Sequence, residues 1–71
     1  MASTSGTGVP NPVYDLTSVL YHALQGAEIY ERYARDANAD RELAEFFREA
    51  KEQNEQRAQG ALRLLARHAQ K

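Results

Sequence analysis

Apolar and small residues recur at Leu16, Leu20, Ala23, Ala27, Tyr30, Ala34 and Ala37. The steps alternate between four and three residues, which places all of them on one stripe of an α-helix. A second stripe runs beside the first, through Val19, His22, Gly26, Ile29 and Tyr33. The opposite side carries Ser18, Tyr21, Gln25, Glu28, Arg32 and Arg35, with Glu28 and Arg32 in the favourable i,i+4 order. Two adjacent stripes give this helix more than one neighbour. Ala23, Gly26 and Ala27 form a small-residue patch where another helix can come close.

The pattern stops at Asn38-Ala39-Asp40 and then resumes. Asn tolerates the left-handed conformation that closes a helix, and Asp40 is a natural cap for the next one. The second seam reads Leu43, Phe47, Ala50, Asn54, Arg57 or Ala58, Ala61 and Leu65, widened by Phe46, Leu62 and Leu64. Asn54 is a polar interruption in an apolar stripe. Gly60 costs about 1 kcal/mol relative to Ala inside a helix, which marks it as a place of fraying or of close helix contact. Arg63, Arg67 and Lys71 complement the negative end of the helix dipole. Upstream, Asn11-Pro12 is a helix start: Asn caps, and Pro suits the first helical position because its missing N–H would be unpaired there. The spacing therefore predicts helix 1 over about residues 12–37 and helix 2 over about residues 40–68. A connection this short sets the helices antiparallel. Residues 1–10 are small or turn-forming and are expected to be a disordered tail.

Length changes the picture. With 71 residues the chain is one small domain, and a lone core of that size seldom supplies more than about 3–5 kcal/mol. Disulfides are excluded by the absence of cysteine, and no Cys/His spacing suits structural zinc. Self-association is the remaining source of burial. The expected fold is all-α, an antiparallel two-helix hairpin that dimerises into a four-helix bundle. The expected dimer seam comprises Leu16, Leu20, Ala23, Ala27, Tyr30, Phe47, Ala50, Asn54, Ala61 and Leu65. Nine basic and ten acidic residues give a net charge of −1, so nothing draws the chain generally to nucleic acid or anionic lipid. No apolar run approaches the roughly 20 residues of a membrane span, and no signal peptide is expected, so a cytoplasmic location is expected.

Candidate chemistry is sparse. There is no Gly-rich phosphate loop and no nucleophile elbow, and the serines and threonines lie in the tail and the first helical turns. Glu45, Glu49 and Glu52 share a helical face, which is either a carboxylate-lined patch or a solvated surface pairing with Arg41, Arg48 and Lys51. His22, Gln25 and Glu28 make a polar line, and His22 is either a ligand or a histidine at an interface rim. The metal candidates are thus His22, Glu28, Glu49 and Glu52, with iron as the cofactor in question and no cofactor the leading expectation. Asn54 either fixes register within a seam or occupies a ligand position. The tyrosines, with Phe46 and Phe47, suit packing better than base stacking, because they are spread over two helices and lack a basic groove.

From Tyr14 to His68 the chain, in particular YHALQGAEIYERYARDA and ELAEFFREAKEQNEQRAQGALRLLA, resembles the short ferritin-like proteins, namely the two-helix encapsulated ferritins and small bacterioferritin-like hairpins. The resemblance implies that two hairpins rebuild a four-helix bundle with iron across the dimer seam. When the RELAEFF segment is matched, the family's Glu-x-x-His falls on Asn54 and Arg57. The Glu expected on the first helix falls near Ala23, with His22 and Gln25 beside it. The principal ligands are therefore replaced, and the family's C-terminal targeting tail is not expected after helix 2.

Three functions follow as expectations. The first is a non-enzymatic ferritin-like oligomerisation or partner-binding module whose metal site has been lost. The second is an iron-binding or ferroxidase-like protein with a site formed between chains. The third is a regulatory adaptor that docks a partner helix against Val19, Ile29 and Tyr33.

Overall fold

Asn11 opens the first helix with its side chain: its Oδ1 accepts a hydrogen bond from the Tyr14 N–H at 3.0 Å, and Pro12 follows at the first helical position. The computed structural model describes residues 11–69, which form α1 (Pro12–Asp36) and α2 (Arg41–Ala69). The segment expected to be a disordered tail, residues 1–10, lies outside the described residues. Asp15 adds negative charge in the first turn of α1, at the positive end of its dipole. At the far end, the Ala37 N–H donates to the Tyr33 carbonyl at 3.0 Å and the Asp40 N–H to the Ala37 carbonyl at 2.9 Å. The chain then reverses. Asp40 caps α2, its Oδ1 accepting from the Leu43 N–H at 3.1 Å while its carbonyl takes the Ala44 N–H at 2.9 Å. Two capped ends joined by so short a turn leave the helices antiparallel and packed along their length.

The buried set is unusual in kind. It consists of Ala23, Ala27, Ala34 and Ala37 facing Ala44, Ala58 and Ala61, each no more than 8% exposed. Among the described residues no large side chain is fully buried, and no polar one is buried. Alanine on both sides leaves no bulky side chain to hold the backbones apart there. Such a seam gives good helix propensity and many close contacts but little apolar area.

The seam of α2 runs in a slightly different phase from the spacing of its large residues. That spacing predicts Leu43 inward, but Ala44 is buried and Leu43 is 43% exposed. It predicts Ala50 two turns further on, where Lys51 is equally half-buried. Ala58 is buried, and Arg57 is exposed. The physical reason is the size of the facing residues. Small side chains on α1 accept only small ones at close range, so α2 turns its alanines inward and carries its bulk on the flanks.

A test of the seam is to overfill it. Ala58→Leu should destabilise the chain by roughly 1–3 kcal/mol in thermal or urea unfolding. The same change at exposed Ala66 should stay within about 0.5 kcal/mol.

Candidate functional site

Because the fully covered residues are all alanine, the large apolar residues are half-buried or exposed. A two-helix layer has two broad faces, and these differ. On one face Tyr33, Leu43 and Phe47 line a shallow groove with Asp36 and Ala37 near the turn. Further along the same face, Ser18, Val19 and His22 meet Asn54 and Arg57 across a second groove. Helical spacing puts Ile29, Phe46, Ala50 and Leu64 on this face as well. Val19, Tyr33, Leu43 and Phe46 are 41–62% exposed, so the face presents apolar side chains to solvent.

Near the turn, this surface is aromatic. The Phe47 ring stacks on Tyr30 at 6.4 Å and meets Tyr33 at 5.4 Å and Phe46 at 5.7 Å edge-on; Tyr30 and Tyr33 are 6.1 Å apart. These separations lie in the range where ring pairs attract beyond their area alone. The packing reading of the aromatics is the one this geometry supports.

Halfway along the face the apolar surface is interrupted by a polar notch. The Arg57 guanidinium Nη1 donates to Asn54 Oδ1 at 2.7 Å, a charge-assisted bond within one turn of α2. The Asn54 amide nitrogen lies directly over Gly26, so close that a methyl group on Gly26 would overlap it. Gly26 is therefore the recess that admits Asn54 into the half-buried position it holds. Gly60 differs: a methyl there would meet only the end of Arg63, at 3.9 Å. The close approach expected at one of the glycines falls at Gly26, while Gly60 has room. His22 stands at the rim of the notch, exposed, its Nδ1 2.9 Å from the Ser18 carbonyl and 3.4 Å from the Ser18 hydroxyl.

The sequence-derived metal candidates are not gathered by the hairpin. His22 lines the notch groove, whereas Glu28 lines a separate one with Tyr21, Leu24 and Gln25. Glu49 and Glu52 are exposed on α2. Among the described residues no three His, Asp or Glu side chains converge as a metal ion would need. Of the expected seam residues, Ala23, Ala27 and Ala61 are covered within the hairpin itself, whereas Leu16, Leu20, Tyr30, Phe47, Ala50, Asn54 and Leu65 are half-buried.

The other broad face is polar toward the turn and carries exposed Leu24 and Leu62 toward the open end. Glu31, Arg35, Asn38, Arg48 and Lys51 surround a groove floored by Ala34. Here Arg35 Nη1 bonds Glu31 at 3.4 Å and Lys51 Nζ bonds Glu55 at 3.0 Å, both i,i+4 pairs. The spacing on α1 points to Glu28 with Arg32; the pair that forms is Glu31 with Arg35. The hydrogen bond and charge of Glu55 raise the Lys51 ammonium above the ordinary lysine value of 10.5, with Glu31 and Glu52 adding in the same direction and desolvation opposing.

No family model, no curated protein and no solved structure matches this chain. Among the described residues no helix is long and apolar enough to cross a membrane.

The two glycines should respond differently to substitution. Gly60→Ala should stabilise the fold by about 1 kcal/mol, the ordinary gain of Ala over Gly in a helix. Gly26→Ala should show that gain only when combined with Asn54→Ala, giving a coupling of roughly 1 kcal/mol in a double-mutant cycle of unfolding free energies. For Lys51 the raised pKa means that its pairing stabilises the folded state below the unfolded lysine value and ceases to do so as pH rises through the folded one. The melting-temperature deficit of Glu55→Gln, present at neutral pH, should therefore disappear once pH is taken well above 10.5.

Proposed function

We propose that the chain is a non-enzymatic oligomerisation module in which hairpins pair through the apolar face to complete a ferritin-like four-helix bundle. The observation that carries this reading is the all-alanine seam beside a face of exposed Val19, Tyr33, Leu43 and Phe46. A single hairpin buries nothing larger than a methyl group in its centre, and at this length the missing burial has to come from another chain. Pairing two such faces would convert Tyr30, Phe47, Leu16, Leu20 and Leu65 from half-buried to core, the arrangement of a helical bundle built from facing apolar stripes.

The notch fits the same reading. Where the resemblance to ferritin-like hairpins implies Glu and His ligands, the face carries the Asn54 amide bonded to the Arg57 guanidinium. A guanidinium stays protonated and repels a metal cation. A half-buried amide in an apolar seam specifies register at some cost in stability. The module thus keeps the bundle geometry of the resemblance and uses the implied ligand positions for alignment. Iron binding, on the second reading, requires His22, Glu28, Glu49 and Glu52 to be brought together from several chains.

Native mass spectrometry with and without ferrous iron tests both readings. The expected species is a dimer or a multiple of it, unchanged in mass by iron, and Phe46→Glu should reduce it to monomer. A fixed number of irons per assembly would replace the structural reading with the metal-binding one. A monomeric wild-type chain at micromolar concentration would overturn the oligomerisation reading.

A further inference from the structure

On the polar face, Arg35 and Lys51 are matched by Glu31 and Glu55. Arg57 is not matched. Among the described residues it takes part in no ion pair. One turn away from it on α2, in either direction, stand Gln53, Asn54, Gly60 and Ala61, none of them charged. The groove it lines, of about 270 Å³, is completed by Ser18, Val19, His22, Ala23 and Asn54, and no lining residue is acidic. Of the carboxylates nearby, Glu55 pairs with Lys51, and Asp15 sits in the first turn of α1, at the positive end of its dipole. The notch is therefore a place of uncompensated positive charge on a chain whose net charge is −1.

Its hydrogen-bonding groups are mostly donors. A guanidinium has five N–H groups, and one of them goes to Asn54 Oδ1. The amide nitrogen of Asn54 lies over Gly26, so the residue that orients Arg57 is itself seated in a recess. Four N–H groups of Arg57 remain. The His22 Nδ1 lies 2.9 Å from the Ser18 carbonyl oxygen. A carbonyl can only accept, so Nδ1 carries the hydrogen. Two consequences follow. The Ser18 hydroxyl, 3.4 Å from the same Nδ1, finds no acceptor there, and its hydrogen is free to turn into the groove. The other ring nitrogen, Nε2, is an acceptor when the ring is neutral.

We propose that the notch is a binding site for a small oxyanion that retains a hydroxyl, with hydrogen phosphate as its type. The guanidinium fork takes two oxygens side by side, the Ser18 hydroxyl donates to a third, and the O–H of the ion donates to His22 Nε2. Sulfate matches the donors but has no hydrogen for Nε2, and a site with an unanswered acceptor discriminates against such an ion. The groove is smaller than the roughly 300–1,000 Å³ of sites for larger ligands, which suits a free ion. The site stands on the single hairpin. Its coupling to assembly rests on the oligomerisation reading above: a second copy laid over the apolar face takes Arg57 out of water, a charge removed from water needs a counter-charge, and the bound ion supplies it. Phosphate should therefore favour the paired state.

The test is a titration of the isotope-labelled chain with inorganic phosphate, and separately with sulfate, followed by NMR at constant ionic strength and at about pH 8, where imidazole is ordinarily neutral. Sedimentation is run on the same samples. The expected result is a saturable shift of the Ser18, His22, Asn54 and Arg57 signals. Arg57→Gln should weaken phosphate binding about tenfold or more, and Ser18→Ala should weaken it less. Arg32→Gln, on the exposed surface of α1, should leave it unchanged. Sulfate should bind several-fold more weakly than phosphate, and His22→Ala should remove that preference. Shifts that rise without saturation, spread over all the basic side chains and persist in Arg57→Gln would overturn the site. Equal binding of the two ions would overturn the part given to His22. A dimer with no phosphate response at the notch would overturn the site and leave the oligomerisation reading standing. Saturable binding to a chain that sediments as a monomer throughout would support the site and overturn that reading.

Discussion

The packing of alanine against alanine along the α1–α2 seam is the constraint on which the rest of this structure depends. Small side chains on both helices allow them to lie close together, and larger ones between them are at most half-covered, as Tyr30 stacked on Phe47 is. The consequence is geometric. Every leucine, valine, isoleucine and aromatic ring of the described residues is half-buried or exposed, and no large side chain is fully buried. The hairpin is well defined as a local structure, with both helix starts capped by side chains, yet it is poor in the apolar burial that stabilises a fold.

That imbalance organises the surface. One broad face is laced toward the turn by the Glu31–Arg35 and Lys51–Glu55 pairs. The other presents the aromatic cluster near the turn, aliphatic residues toward the open end, and one polar notch between them. The notch joins three residues that have little meaning separately. Asn54 enters the seam because Gly26 has no side chain to block it, and Arg57 holds the amide oxygen so that the amide is not left without a partner. A polar group in that position favours one alignment of the facing helices over shifted ones, and this is the role an assembly module would need from it.

Much of the architecture was legible in the residues. The Asn11-Pro12 start, the Asp40 cap and the four-three stripe of α1 each state their structure through a local rule, and local rules depend only on near neighbours in the chain. The phase of α2 was less legible. Leu43 and Ala50 look like seam residues by hydrophobicity, but Ala44 is the one buried and Lys51 is covered as much as Ala50, because the fit to the alanines of α1 outweighs apolar character. The candidate site was legible only as separate parts. Gly26 stood out as a small residue and Asn54 as a seam interruption, but they are 28 positions apart in the chain. Nothing in local pattern announces that one is the recess for the other.

The amino-acid sequence by itself determined two helices, their caps, a tight reversal and a shortage of burial, because helix formation and capping are short-range and the apolar count is a property of composition. Tertiary structure alone decided which turns of α2 face inward, which glycine lies under a side chain of the other helix, and that Tyr33, Phe46 and Phe47 gather on one face with the notch further along it. These placements depend on the rotation of one helix about its axis relative to the other, which is set by the shapes of side chains brought together from distant parts of the chain.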